Sequence, residues 1–210
     1  MTLQTIDLTP RIGTEIKGDR KAILGGAHAQ QIRDLLEKRG VLVFRGLNIQ
    51  DEEQLAFAST LGDVKQQGEK GRHKITLDEK AHGTADLLRG TFAWHIDGTM
   101  EDMPVRATML SPRVLSEIGG QTEFANTYAA YDDLPEPEKK AIDKLRVVHT
   151  QEKIQRQVFA NPTEAQLARW RGQGAKTHPL VWNHKSGRKS LVLGFTATDI
   201  ADMDLEEGHT

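Results

Sequence analysis

The apolar residues of this chain arrive in short runs divided by glycine, proline and charged residues, and this pattern constrains the fold more than any other feature. TIDLTPRIGTEI alternates and reads as a short strand with a turn. AHAQQIRDLLEKRG places Ile32, Leu35 and Leu36 at helical spacing, with Gly40 as a stop signal. DEEQLAFASTLG reads as a second helix, with Asp51 as its N-cap and Leu55, Ala58 and Leu61 as its apolar stripe. Between these helices VLVFRG has the β-branched and aromatic run of a buried strand. FAWHIDGTM and RATMLSPRVL read as strands, GGQTEFANTYAAYDDLP as a turn, strand and helix, and PEPEKKAIDKLRVVHTQ as a helix entering a strand. Residues 153–174 read as a polar, helix-rich insertion, and HPLVWNHKSGRKSLVLG as a hairpin around KSGR. FTATDIADMDLEEGHT reads as the start of a helix. This order predicts a β-rich α+β fold, with an antiparallel core and helices packed outside it.

Composition narrows the function. The chain has 210 residues and a formal charge of -2, which suits one large domain over residues 1–210. Near neutrality with no long basic run argues against nucleic acid and against an anionic membrane as partners. The absence of cysteine excludes disulfides, iron–sulfur clusters, thiolate zinc sites and a Cys nucleophile. No apolar run approaches the roughly 20 residues of a membrane span. MTLQTIDLTP has no charged-then-apolar signal segment, so a cytoplasmic location is the expectation.

The chemistry concentrates in WHIDGTM. His95 and Asp97 flank Ile96, and on a strand alternate residues share a face. An imidazole and a carboxylate converging this way serve as metal ligands or as a proton relay. Ionisable groups at the end of a buried strand need partners or a metal. One histidine and one carboxylate are two-thirds of the facial triad that holds non-haem Fe(II), which leaves positions open for a co-substrate and oxygen. Hydrolysis, with His95 as base and Asp97 as its orienter, is the competing reading. No serine stands in a G-x-S-x-G elbow, and further zinc ligands are not obvious near the pair.

Together, VLVFRG, LAFASTLGDV, WHIDGTM, LSPRVLSEIGGQTEFANTYAAYDDLP, LRVVH and HPLVWNHKSGRKSLVLGFTATDI make the chain recognisable. In that order they resemble the Fe(II)- and 2-oxoglutarate-dependent dioxygenases of the taurine dioxygenase and aryloxyalkanoate dioxygenase family. The resemblance implies a double-stranded β-helix, or jelly roll, with flanking helices. It also implies Fe(II) as cofactor, 2-oxoglutarate as co-substrate and O2 as oxidant. It places His95 and Asp97 as two iron ligands and Thr122 as a hydroxyl on the distal carboxylate of 2-oxoglutarate. With Asp97 present, rather than the small residue of related halogenases, hydroxylation is expected, with release of succinate and CO2.

The family pattern adds a third histidine ligand and a 2-oxoglutarate-binding arginine in C-terminal strands that follow the segment matching FTATDIADMDLEEGHT. Neither is matched here, so the chain is expected to be a truncated or partly covered form of a longer protein. His149, His178, His184 and His209 are not expected to be that third ligand. The substrate is expected to be a small organic molecule bearing a carboxylate or sulfonate, such as an aryloxyalkanoate. Gln66 or Gln67, and Gln151, stand where the taurine enzyme has its own contacts, which argues against taurine. Residues 65–90 read as a polar loop at the substrate mouth, either simply solvated or attracting an anion through Lys65, Lys70, Arg72, His73 and Lys74. Trp94, Trp170 and Trp182 are expected to be packing residues, and residues 136–145 a solvated helix face. Self-association is left open. The reading from a different class is a catalytically inactive jelly-roll binding protein derived from the same family.

Overall fold

The structure is a computed structural model, and it describes residues 2–65, 75–76 and 92–204. Most of the polar loop, with Gln66, Gln67, Lys70, Arg72, His73 and Lys74, lies outside the described residues, as does His209. The chain forms two compact units: residues 1–74 with 109–126, and residues 75–108 with 127–210.

In the first unit, β1 (Gln4–Asp7) pairs antiparallel with β2 (Thr14–Lys17), Gln4 opposite Lys17. β2 pairs parallel with β3 (Leu42–Val43), so VLVFRG yields a strand of only two residues. Three helices complete the unit: α1 (Arg20–Leu24), α2 (Ala29–Arg39) and α3 (Asp51–Leu61). α2 ends at Gly40, whose φ of 71° is readily reached only without a Cβ. The cap of α3 is Gln50 rather than Asp51: Glu53 reaches back to accept from the Gln50 N–H at 2.9 Å. Leu3, Ile16, Ile23, Ile32, Ile49 and Phe57 form the core, with Phe44 edge-on to Phe57 at 5.8 Å.

Arg39 is buried in this unit. It donates to the Thr14 hydroxyl and to the carbonyls of Thr9, Pro10 and Gly13, and it lies 3.3 Å from Asp7. A buried guanidinium is tolerable only when its donors are met this completely.

The second unit is built on β4 (Arg146–Thr150), flanked antiparallel by β5 (Ala175–Pro179) and β8 (Ala197–Ile200). A register shift between Val148 and His149 marks a bulge against β8. The strand β8 corrects the expectation of a helix at FTATDI. The Thr and Ile of that run suit a pleated surface, and β4 offers it an open edge. The hairpin is as expected, β6 (Val181–Asn183) with β7 (Lys189–Leu191). Tyr131, Val181 and Leu191 are buried together between this hairpin and α4 (Thr127–Asp133). α5 (Glu136–Ile142) is almost wholly exposed, as its charges predict. α6 (Gln151–Val158) and α7 (Glu164–Gly172) account for the polar insertion and bury Trp170 beside Phe159.

Three strand expectations fail. FAWHIDGTM, RATMLSPRVL and the stretch of GGQTEFANTYAAYDDLP ahead of α4 contain no strand among the described residues. Phe92 and Trp94 are exposed, so Trp94 is not a core residue. The described strands are two to five residues long, and the α+β character rests on three small sheets. Among the described residues no helix is long and apolar enough to cross a membrane.

Candidate metal centre

His95 and Asp97 belong to the second unit and sit on an irregular segment entering a turn at residues 97–100. Gly98 carries that turn with φ 79°, and a Cβ there would come within 2.9 Å of the Val105 nitrogen. Strand alternation was expected to bring the pair together. A loop and a turn do so instead, placing His95 Nε2 3.3 Å from Asp97 Oδ1. Both side chains are partly open to solvent.

The hydrogen bonds fix which atoms face each other. His95 Nδ1 lies 2.9 Å from the Ala93 carbonyl, which can only accept, so Nδ1 carries the proton. In the neutral ring the Nε2 lone pair therefore faces Asp97. Asp97 Oδ2 accepts from the Thr108 hydroxyl at 2.7 Å, which leaves Oδ1 turned toward His95. Two lone pairs at 3.3 Å repel unless a cation lies between them. A proton supplies one: the hydrogen bond with Asp97 raises the His95 pKa above its ordinary value and lowers that of Asp97.

A divalent metal fits the same gap. Two ligand atoms each about 2.1 Å from a metal, at right angles, are separated by about 3.0 Å. The carbonyl behind the imidazole and the hydroxyl behind the carboxylate are the outer partners that orient such ligands. Among the described residues no group of three or more His, Asp or Glu is gathered for a metal, so the pair supplies two donors and no third.

The segment is braced from behind. Phe195 N–H donates to the Trp94 carbonyl at 2.7 Å. A Cβ on Gly194 would lie 3.0 Å from His95 Cα, so a side chain there would press on the His95 backbone by a few tenths of an ångström. Thr99 is buried; its carbonyl meets His178 Nε2 at 2.9 Å and its hydroxyl meets the Thr196 hydroxyl at 2.9 Å. Thr196 also meets His149 Nδ1 at 2.9 Å. His149 is fully buried, and burial, with His178 beside it, pushes its pKa down to about 4.

The other predicted residues fall as follows. Thr122 belongs to the first unit, on an exposed stretch without regular structure. His184 bonds the Ser190 hydroxyl at 2.8 Å within the hairpin. Gln151 opens α6. A cavity of about 450 Å³ lies beside α6 and α7, but its Arg156 and Arg171 are bridged by Glu152 and its Lys153 is paired with Asp199. Sequence reasoning missed Thr108, Thr99, Gly194 and Thr196. Thr99 alone carried a signal, as the second position after Asp97 in WHIDGT.

A histidine nitrogen and a carboxylate oxygen thus stand 3.3 Å apart on a braced loop, a spacing compatible with two adjacent ligands of one metal. Residues 4–209 match the Taurine catabolism dioxygenase TauD, TfdA family, and the chain belongs to it. It is thereby an oxidoreductase of the Fe(II)/2-oxoglutarate-dependent dioxygenase class. It is 32% identical to an alpha-ketoglutarate-dependent 2,4-dichlorophenoxyacetate dioxygenase of Burkholderia sp. (strain RASC), over 91% of this chain and 71% of that relative. An alpha-ketoglutarate-dependent sulfate ester dioxygenase of Pseudomonas putida is 32% identical over 95% of this chain and 68% of its own length. In structure the chain is similar to AAD-2, solved in complex with Mn(II) and N-oxalylglycine. That match has 29% identity and a TM-score of 0.78, covering 99% of this chain and 75% of AAD-2. These neighbours share the jelly-roll fold of the family.

Proposed function

We propose that this protein hydroxylates a small anionic organic molecule, using Fe(II), 2-oxoglutarate and O2 and releasing succinate and CO2. Residues 1–210 are read as one dioxygenase domain on a double-stranded β-helix. The relatives' names support the substrate class. Dichlorophenoxyacetate carries a carboxylate and a sulfate ester carries a sulfate, each on an organic body.

His95 Nε2 and Asp97 Oδ1 are the two groups proposed to hold the metal. The observation that carries this reading is their 3.3 Å separation, with the tautomer set by Ala93 and the carboxylate set by Thr108. Bound there, Fe(II) would supply the redox chemistry that splits 2-oxoglutarate and oxidises a C–H bond. This chain's residues do the rest. His95 gives up its Nε2 proton before it can ligate. The Ala93 carbonyl keeps the ring from turning. Thr108 holds the carboxylate at one oxygen. Thr122 is proposed to donate its hydroxyl to the distal carboxylate of 2-oxoglutarate.

The test is an anaerobic titration with Fe(II) and 2-oxoglutarate, followed by visible absorbance, and then succinate release with a panel of an aryloxyalkanoate, an alkyl sulfate and an alkylsulfonate. A charge-transfer band that vanishes in H95A and D97A, with succinate formed alongside a hydroxylated product, is the expected result. A folded protein that shows no band and releases no succinate would overturn the reading in favour of a non-catalytic binding protein.

A further inference from the structure

We propose that Thr196 is a positioning residue for the His95–Asp97 pair, the closing link of a clamp that fixes both ends of the segment bearing them. The inference rests on the metal-centre reading for its purpose and on geometry of its own for its existence.

The segment Trp94–Thr99 is held at each end by the same short stretch, Gly194–Thr196. At one end Phe195 N–H donates to the Trp94 carbonyl at 2.7 Å. At the other, the hydroxyls of Thr196 and Thr99 meet at 2.9 Å. Thr99 is further fixed by His178 on its carbonyl. Thr196 is anchored in turn by His149 Nδ1 at 2.9 Å and by its own carbonyl, which accepts from Thr150 N–H at 3.1 Å. Behind it Gly194 lies so close that an added Cβ would come within 3.0 Å of His95 Cα. His95 and Asp97 lie between the two ends, so the spacing of their donor atoms depends on both holding.

The protons in this chain have a direction. Thr196 has one hydroxyl proton and two partners. His149 Nε2 is buried and has no hydrogen-bond partner among the described residues. An orphaned buried donor is rarer than an under-used acceptor. That favours the order in which the proton sits on His149 Nδ1, which donates to Thr196, with Thr196 donating to Thr99. Nε2 is left as a bare lone pair. The clamp thus requires a hydroxyl at residue 196 that both accepts and donates, which serine supplies and valine does not.

The test reads imidazole nitrogen and carbon signals by NMR in the metal-free protein, then Mn(II) affinity by calorimetry. T196V is expected to shift the His95 ring signals, while T196S leaves them where they are in the wild type. T99V cuts the same chain at its other link and gives the same shift, so the test survives if T196V does not fold. His95 signals unchanged in folded T196V or T99V would overturn the clamp. In wild type, His149 Nε2 is expected to resonate as an unprotonated nitrogen; a protonated Nε2 would overturn the proton order. Where the wild type binds Mn(II), T196V is expected to weaken it by up to about 10-fold, the lower end of what outer partners of a ligand contribute. T196S is expected to bind like wild type. Unchanged Mn(II) affinity in T196V would overturn the positioning role. A wild type that binds no Mn(II) would sink the metal-centre reading, and the His95 signals would still decide the clamp.

Discussion

Thr108 donates its hydroxyl proton to Asp97 Oδ2 at 2.7 Å, and so decides which oxygen of that carboxylate faces His95. Without the hydroxyl, Asp97 is free to rotate and present either oxygen. T108V is expected to weaken Mn(II) binding by about 10-fold, the order seen for partners one step behind a ligand. T108S should restore it. Calorimetric titration of the three proteins checks this, and equal affinities for T108V and wild type would show that Thr108 does not orient the carboxylate.

The pair should give opposite pH trends with and without metal. The folded pKa of His95 is raised, so its ion pair with Asp97 stabilises the metal-free protein fully below about pH 6.5. That contribution is lost as pH rises through the raised folded value. Metal needs the proton gone, so Mn(II) affinity should climb through the same window, by about 10-fold per unit below the His95 pKa. Titrations across the range from pH 5.5 to 8.5, taken here as about one to two units either side of the ordinary histidine value, will show the climb. H95Q should remove it.

His149 gives a third measurable trend. Its folded pKa of about 4 lies below the ordinary 6.5, so the folded protein resists protonation there. The unfolded chain binds that proton first, and stability falls as pH drops from 6.5 toward 4. The loss reaches about 3 kcal/mol at most. Urea melts at pH 7 and pH 4.5 should show a smaller difference for H149Q than for wild type.

Gly194 is predicted to resist substitution, because what a side chain there would meet is backbone. A methyl group there meets the backbone of residues 94–96 at 3.0 to 3.4 Å, and backbone cannot swing aside. G194A should cost about 1–3 kcal/mol, as overpacking does. It should also weaken Mn(II) binding, because the atoms displaced belong to His95. A thermal melt and a metal titration on one sample decide this together.

Arg39 predicts the stability of the first unit. R39M leaves the Thr14 hydroxyl and three carbonyls without their shared donor, and should cost about 3 kcal/mol. Near-wild-type stability in R39M would mean that water replaces the guanidinium.

What was legible in the sequence was local. Ile32, Leu35, Leu36 and Gly40 announced α2 because helical spacing and a C-terminal glycine are encoded within a dozen residues. The KSGR turn announced its hairpin for the same reason. His95 and Asp97 were found by their spacing, though the supposed strand is a loop: Gly98 and the exposed Phe92 and Trp94 take that segment out of any sheet. FTATDI was misread because its strand exists only once β4 offers an edge, which no local pattern reports. The braces were invisible for the same reason. Thr196 lies 97 residues from Thr99 and 47 from His149, and a threonine in a run read as a helix start has no signature of such partners.

That separation of 97 residues also has a consequence for synthesis. On the ribosome, residues 92–108 emerge long before residue 196. Closing a loop of that length is entropically costly and waits on β4 and its neighbours to form the surface that holds it. A nascent chain can display His95 and Asp97 early, but not at their final spacing. If the pair holds a metal as proposed, competence to capture it is acquired late, after the second unit has assembled. Iron met earlier would then find two loosely connected donors.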